Sequence, residues 1–214
     1  MIARALWSDG QATARRTVVV LTLVLCGVAS ALLLGATGQH VAEPEVSVTE
    51  HDGLYVVTAR FQVRQPPAIA LAVLTDYEGI PRFMPGVVTS IVRQRGPSRA
   101  VVEQEALSRM WMFSKRIHLL LEVDEASDAI RFREGSGRSF SRYEGAWRVV
   151  RVDGLTVITY DLTAKPSFSV PDFVLTRLLR RDAAAMIERL QAEISLREQR
   201  PPPPQARGAL LLSQ

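Results

Sequence analysis

Tyr143, Trp147 and Tyr160 are the residues whose types and spacing bear most directly on chemistry. In the predicted strand Ser139–Val152, Arg142, Glu144 and Arg148 alternate with Tyr143, Gly145, Trp147 and Val149. Successive strand side chains point to opposite faces, so the charged set faces out and the aromatic set faces in. In Leu155–Ala164 the same rule turns Ile158, Tyr160 and Leu162 inward. Asp153-Gly154 joins the two strands, a strong hairpin signal between alternating runs. Cross-strand neighbours on one face lie about 5 Å apart, so the three rings should form one aromatic wall. Two phenols and an indole N–H can orient an oxygen on an apolar ligand. They do not make an acid–base pair. Buried Tyr and Trp also serve as ordinary core residues whose polar ends find partners, and the sequence leaves both roles open.

The same parity gives the rest of the interior. In Ala129–Glu134, Ile130 and Phe132 face in while Arg131 and Arg133 face out. In Ala100–Leu107, Val102, Gln104 and Ala106 face in, opposite Glu103 and Glu105. In Met110–Val123, Phe113, Lys115, Ile117, Leu119 and Leu121 share the inner face with Trp111. Lys115 is the anomaly, because an isolated ammonium in an apolar cavity is expensive. Either it holds an anionic or carbonyl-bearing head group, or it escapes outward at a bulge or by snorkelling from the mouth. Candidate ligand contacts are therefore Gln104, Phe113, Lys115, Phe132, Tyr143, Trp147, Tyr160 and, from a long helix, Leu179. A small apolar pocket with few fixed polar groups suits a greasy small molecule.

Other chemistries find little support. His40, His51 and His118 are too scattered for a metal site, and the single cysteine, Cys26, lies in the apolar N-terminal run. The body therefore has no disulfide, cysteine-based zinc site or cysteine nucleophile. No Gly-rich phosphate loop, Ser/His/Asp set or inward carboxylate pair is present, and no cofactor is implied. The net charge of +4 is small and scattered, with no basic stripe interleaved with aromatics, so nucleic acid is not an expected partner.

The elements that must carry these residues follow in order. Glu45–Glu50 and Leu54–Val63 form a hairpin about His51-Asp52-Gly53. Pro66-Pro67 stops the second strand and starts a helix carrying Ile69, Ala72 and Val73. Thr75-Asp76-Tyr77-Glu78-Gly79 bends the chain, with Asp76 as the expected cap of a second short helix carrying Phe83 and Met84. Six strands follow, from Val87–Arg93 to Leu155–Ala164, separated by turn residues at hairpin spacing. Pro171–Arg197 reads as one helix with Leu175, Leu179, Met186, Leu190 and Ile194 on a shared face. A sheet this long should curl around that helix, which spans roughly 40 Å at 1.5 Å per residue. Arg177, Arg180 and Arg181 should face solvent, or attract anionic lipid head groups.

Three segments are expected: 1–39 as a membrane anchor or signal segment, 40–199 as the folded domain, and 200–214 as a disordered Pro-rich tail. Arg15 and Arg16 precede the uncharged run from Thr17 to Ala36. A run of about 20 apolar residues can span a bilayer. Positive charge on its N-terminal side leaves the domain outside the cytoplasm, in the periplasm. The alternative is a cleaved signal with Ala29-Ser30-Ala31 at the cleavage site, giving an exported soluble protein.

At Thr75-Asp76-Tyr77-Glu78, Phe83-Met84-Pro85, Arg142-Tyr143-Glu144-Gly145-Ala146-Trp147 and Pro171-Asp172-Phe173, the chain resembles the START-like (SRPBCC) superfamily. The resemblance is to its polyketide cyclase/dehydrase and coenzyme-Q-binding branch, and covers roughly Val46 to Leu196. It implies an α+β helix-grip: a curved antiparallel sheet around a long C-terminal helix, with a hydrophobic cavity between them. It implies a lipid, sterol, quinone or polyketide as ligand, and carries no catalytic motif onto numbered residues. The expected function is membrane-tethered, non-enzymatic binding of a quinone, isoprenoid or other lipid. Release would require an opening between Tyr77–Pro85 and the N-terminal part of the long helix. The alternatives are a cyclase or dehydratase, and a protein–protein interaction module with a filled core. The oligomeric state is left open.

Overall fold

The structure, a computed structural model, describes residues 41–84, 86–110 and 113–199. Eight strands form one antiparallel sheet: β1 (Glu45–His51), β2 (Leu54–Val63), β3 (Val87–Arg95), β4 (Arg99–Met110), β5 (Phe113–Glu125), β6 (Ala129–Glu134), β7 (Phe140–Val152) and β8 (Leu155–Pro166). Their order in space is β1-β2-β8-β7-β6-β5-β4-β3. From β3 to β8 the chain is a simple meander, and the β1–β2 hairpin adds to its end through β8. The connection from β2 to β3 must therefore reach from one side of the sheet to the opposite edge. It does so with α1 (Pro67–Leu74), a 3-10 turn (Tyr77–Gly79) and α2 (Ile80–Phe83). The last element, α3 (Asp172–Gln199), is a single helix of 28 residues.

The turn chemistry read from sequence is present in the backbone. Asp52 and Gly53 both have positive φ, at 53° and 73°, and so do Asp153 and Gly154, at 48° and 78°. Two consecutive positive φ values define the turn whose twist matches that of paired strands. The hairpins they close hold the registers Val48↔Val57 and Trp147↔Tyr160.

Burial follows the parity along β2, where Tyr55, Val57, Ala59, Phe61 and Val63 are buried and alternate with more exposed residues. The opposite sheet face carries charge in pairs, across strands in Arg116–Glu105 and Arg133–Glu122 and along β7 in Arg142–Glu144. His118 also lies among them, its Nε2 2.8 Å from Glu103 Oε1 and its Nδ1 without a partner. His51 sits beside Asp52 in an exposed turn.

The helix α3 runs beside β1 and β2, tied at both ends. At its start, the buried Tyr55 hydroxyl donates to Asp172 at 2.7 Å. Near its end, Arg197 holds Glu193 at 2.8 Å, donates to the Ala72 carbonyl and pairs with Asp76. Asp76 also accepts from the Gly79 N–H at 3.1 Å, so it caps the 3-10 turn rather than α2, whose N-cap is Gly79, and it pairs with Arg82 at 2.9 Å. The Asp76 carboxylate thus ties the 3-10 turn, α2 and α3 together, and Arg197 adds α1.

Two expectations about inward-facing residues need correction. Leu179 was expected at the centre of the helix's apolar face. The buried residues are instead Leu175 and Leu178 near the start, then Ala183, Ile187, Leu190 and Ile194. The first pair packs with Tyr55, and the later ones join the main core, so the contact face shifts round the helix between them. Leu179 and Met186 lie on the border and are only partly buried. Strand parity alone puts Lys115, a candidate ligand contact, on the inner face, but of the two outcomes left open it takes the outward one: it is exposed, with Nζ 4.9 Å from the centre of the Phe168 ring. At the start of β5 an ammonium keeps its hydration and gains the ring's electron-rich face, which a dry cavity could not match.

Among the described residues no helix is long and apolar enough to cross a membrane. The predicted anchor and tail, and Trp111, lie outside the described residues, and the Phe113 side chain is likewise not described.

The helix packing predicts an order of sensitivities. Ile187 is fully buried, so Ile187→Ala should lower unfolding free energy by about 2–5 kcal/mol. Leu179→Ala should cost clearly less. Denaturant unfolding of both variants measures this, and equal losses would place Leu179 back in the centre of the contact face.

Candidate functional site

Because α3 covers only one side of the concave sheet, the remainder encloses a cavity of about 660 Å³. That lies within the range of roughly 300–1,000 Å³ typical of small-molecule sites. The floor comes from β4 to β8, the roof from α1, the 3-10 turn and α2, and one lip from the middle of α3.

The aromatic wall is present. The Trp147 and Tyr160 rings have centroids 4.3 Å apart across the β7–β8 pair. Phe132, one strand over, stacks on Tyr160 at 6.2 Å and meets Tyr143 at 5.9 Å. Phe140 extends the wall, 4.9 Å from Tyr143. Strand parity alone would send Phe140 outward with Arg142. A register shift between those two residues turns it inward, and β-bulges of this kind leave only weak sequence signals.

Gly145 makes the wall possible. It sits opposite Phe132, and a Cβ there would come 2.7 Å from the Phe132 ring and 2.2 Å from the Asp161 carbonyl oxygen. The missing side chain is the space into which Phe132 lies, so that its ring can touch both tyrosines.

The polar groups of the cavity are few. The Tyr143 and Tyr160 hydroxyls influence each other across the wall. Burial pushes the Tyr143 phenol up, and the neighbouring Tyr160 hydroxyl only partly offsets this. Burial and the neighbouring Tyr143 oxygen push Tyr160 well up. Both phenols therefore stay neutral near pH 7 and act as hydrogen-bond donors rather than bases. Each phenol O–H is a donor that an oxygen in the cavity can accept from. On β4, Gln104 donates from Nε2 to Ser90 Oγ at 3.1 Å, which fixes its amide. Tyr77, at the roof, is spent structurally: its hydroxyl donates to Glu125 at 2.7 Å.

Of the eight residues singled out from sequence, Gln104, Phe132, Tyr143, Trp147 and Tyr160 line this cavity. Lys115 and Leu179 do not, for the reasons given above. The sequence reading missed the roof residues Leu74, Ile80 and Met84, although their apolar helical spacing marks them. It also missed Asp182 and Arg189, which stand at the α3 lip with Arg181, a residue read as facing solvent or anionic head groups. It placed the mouth at the N-terminal part of the long helix, whereas the lining residues Arg181 to Leu190 come from its middle. Among the described residues, no group of three or more His, Cys, Asp or Glu could hold a metal ion.

The close approach at Gly145 yields a test. Gly145→Ala should push the Phe132 ring and the β8 backbone apart, costing about 1–3 kcal/mol of stability. The near-ultraviolet circular dichroism of the aromatic wall should change with it. Unchanged stability and spectrum would mean that Phe132 does not depend on this gap.

The geometry has counterparts among known proteins. A STAR-related lipid transfer protein from Xanthomonas axonopodis is 17% identical, with a TM-score of 0.56 over 73% of this chain and 98% of that one. Zhui aromatase/cyclase from Streptomyces sp. R1128 is 16% identical, with a TM-score of 0.55 over 68% of this chain and 96% of that one. Human STARD10 is 14% identical, with a TM-score of 0.61 over 81% of this chain and 79% of that one. At these identities the likeness is one of fold, the α+β helix-grip. A search of curated protein sequences returns no match. The family model described as polyketide cyclase / dehydrase and lipid transport matches residues 55–195, from the first residues of β2 to the last turns of α3. The chain belongs to that family.

Proposed function

We propose that this domain binds a hydrophobic small molecule without transforming it, and that it does so tethered to a membrane. The observation that carries this reading is the chemistry of the cavity: about 660 Å³, walled by aromatic rings, with neutral phenols and one fixed amide as its inner polar groups. General acid–base catalysis needs titratable groups poised near the working pH and within reach of substrate. Neither phenol is so poised. The phenol donors of the tyrosine pair suit a ligand bearing a carbonyl or hydroxyl oxygen, as a quinone or an oxidised isoprenoid does. An open cavity also argues against an interaction module with a filled core.

A second reading is a cyclase or dehydratase. It is favoured by the fold shared with an aromatase/cyclase and by the tyrosine pair, which could donate to a substrate carbonyl. The first reading expects native mass spectrometry of the purified protein, followed by lipid extraction, to show one intact apolar ligand. Turnover of a polyketide-like substrate would favour the second.

The wall separates ligand contact from plain packing. Tyr160→Phe should weaken binding of the extracted ligand by roughly 0.5–1.5 kcal/mol and leave folding intact. Trp147→Leu should enlarge the cavity and admit bulkier ligands at some cost in stability. Wild-type binding by both variants, with a stability loss at Trp147→Leu, would make the wall plain core.

The tether rests on the uncharged run from Thr17 to Ala36 behind Arg15 and Arg16. A reporter fused after Gln214 should be active outside the cytoplasm, and the protein should pellet with membranes at high salt. A soluble, trimmed form beginning near Leu32 would replace the anchor with a cleaved signal.

A further inference from the structure

The lip that α3 contributes is built from two adjacent stripes. Met186 and Leu190 are turned inward, while Arg181, Asp182, Ala185 and Arg189 are exposed along the cavity's edge. Residues four apart stack along one helix face. The two arginines are therefore about 12 Å apart along the axis, with a methyl side chain between them. Ala185 leaves a notch there.

Charge at this lip is not balanced. Arg181 Nη2 lies 3.0 Å from Asp182 Oδ1, the only carboxylate among the described residues that line the cavity. Arg189 has no ion-pair partner among the described residues. Its helical neighbours at i−4, i−3 and i+3 are Ala185, Met186 and Ala192. Glu193, at i+4, is held by Arg197 at 2.8 Å. Glu188 is exposed and does not line the cavity. The opposite lip, with Met84, Gly86, Val87 and Val88, carries no charge. Elsewhere on the domain, Arg93, Arg95, Arg116, Arg133 and Arg142 each meet a glutamate. Arg189 differs from them, and it stands at the edge of an apolar cavity.

An apolar body with an unbalanced guanidinium at its mouth complements a single-chain amphiphile with an anionic head. The planar fork of arginine matches the paired oxygens of a carboxylate or a phosphate. We propose that the ligand is such an anionic amphiphile, seated with its chain on the aromatic wall and its head in the Ala185 notch against Arg189. This rests on the cavity being a lipid site, and it names the class of lipid.

The test uses the full-length protein and three dibrominated probes: stearate, stearyl phosphate and stearyl alcohol. The chain has three tryptophans, so Trp7 and Trp111 are first replaced by Phe in every variant; bromine on a bound chain then quenches Trp147 alone, and the signal reports occupancy of the cavity. At about pH 8 the carboxylate is ionised. The two anionic probes should bind about ten-fold more tightly than the alcohol, a difference of about 1.4 kcal/mol. Salt should narrow that gap, because the lip is exposed. Arg189→Gln should bring the anionic probes to the affinity of the alcohol and leave the alcohol unchanged, and Arg189→Lys should retain part of the preference. The tighter of the two anions identifies the head group. If the alcohol binds as well as the anions, or Arg189→Gln weakens all three alike, the proposal falls while the lipid site stands. If no probe quenches Trp147, the lipid site falls with it.

Discussion

One helix cannot cover eight strands. With strands about 4.8 Å apart, the sheet is roughly 34 Å wide, while a helix with its side chains is about 10 Å across. Here α3 lies along β1 and β2, where its apolar face meets Tyr55, Phe61 and their neighbours. The concave face from β4 to β8 is left without a second helix of comparable length. The connection from β2 to β3 crosses that gap, but α1 has 8 residues and α2 only 4, and α2 buries none of them. What they leave unfilled is the cavity. It follows from the mismatch between one long helix and a wide sheet.

That geometry explains how much was legible in the sequence. Strand parity is a local rule, and it correctly turned Tyr143, Trp147, Tyr160, Phe132 and Gln104 inward because β4 and β6 to β8 keep strict alternation there. It failed where something other than alternation decides direction. A register shift turns Phe140 inward. Solvent and the Phe168 ring draw Lys115 out of the wall, a choice made by side-chain hydration rather than backbone parity. Leu179 was misplaced because the apolar face of α3 was read as one straight stripe, whereas the helix passes from the Tyr55 contact to the main core along its length. Arg189 was invisible because charged residues on a helix are normally read as its wet face. Only the cavity beside it gives that position meaning.

Charge is sorted by face, and the sorting shapes what the cavity can recognise. The outer face pairs arginines with glutamates across neighbouring strands. Exposed pairs of this kind contribute little each, but they absorb the domain's charge where water screens it. The inner face keeps almost none, so its selectivity must come from shape, ring contact and a few donors. Such a surface tolerates many apolar bodies. Discrimination then falls to the points where polarity is fixed: the tyrosine pair deep inside, the Gln104 amide held by Ser90, and the arginine at the lip.

The tyrosine pair also separates binding from catalysis. A neutral phenol in a low-dielectric wall donates a strong hydrogen bond to a carbonyl oxygen, because no water competes for it. That interaction stabilises a bound ketone or quinone as it stands. Acceleration requires more: an interaction that grows as the reaction proceeds, and a group to take or give a proton at the reacting carbon. The first could come from the same phenol if charge developed on the oxygen. The second needs a base near neutrality, yet the burial that makes Tyr143 and Tyr160 good donors also raises them beyond that role. Cavity-lining groups with other chemistry are the fixed amide and the charges at the mouth, on the far side of the apolar body. The environment that favours holding a ligand oxygen thus works against turning the ligand over.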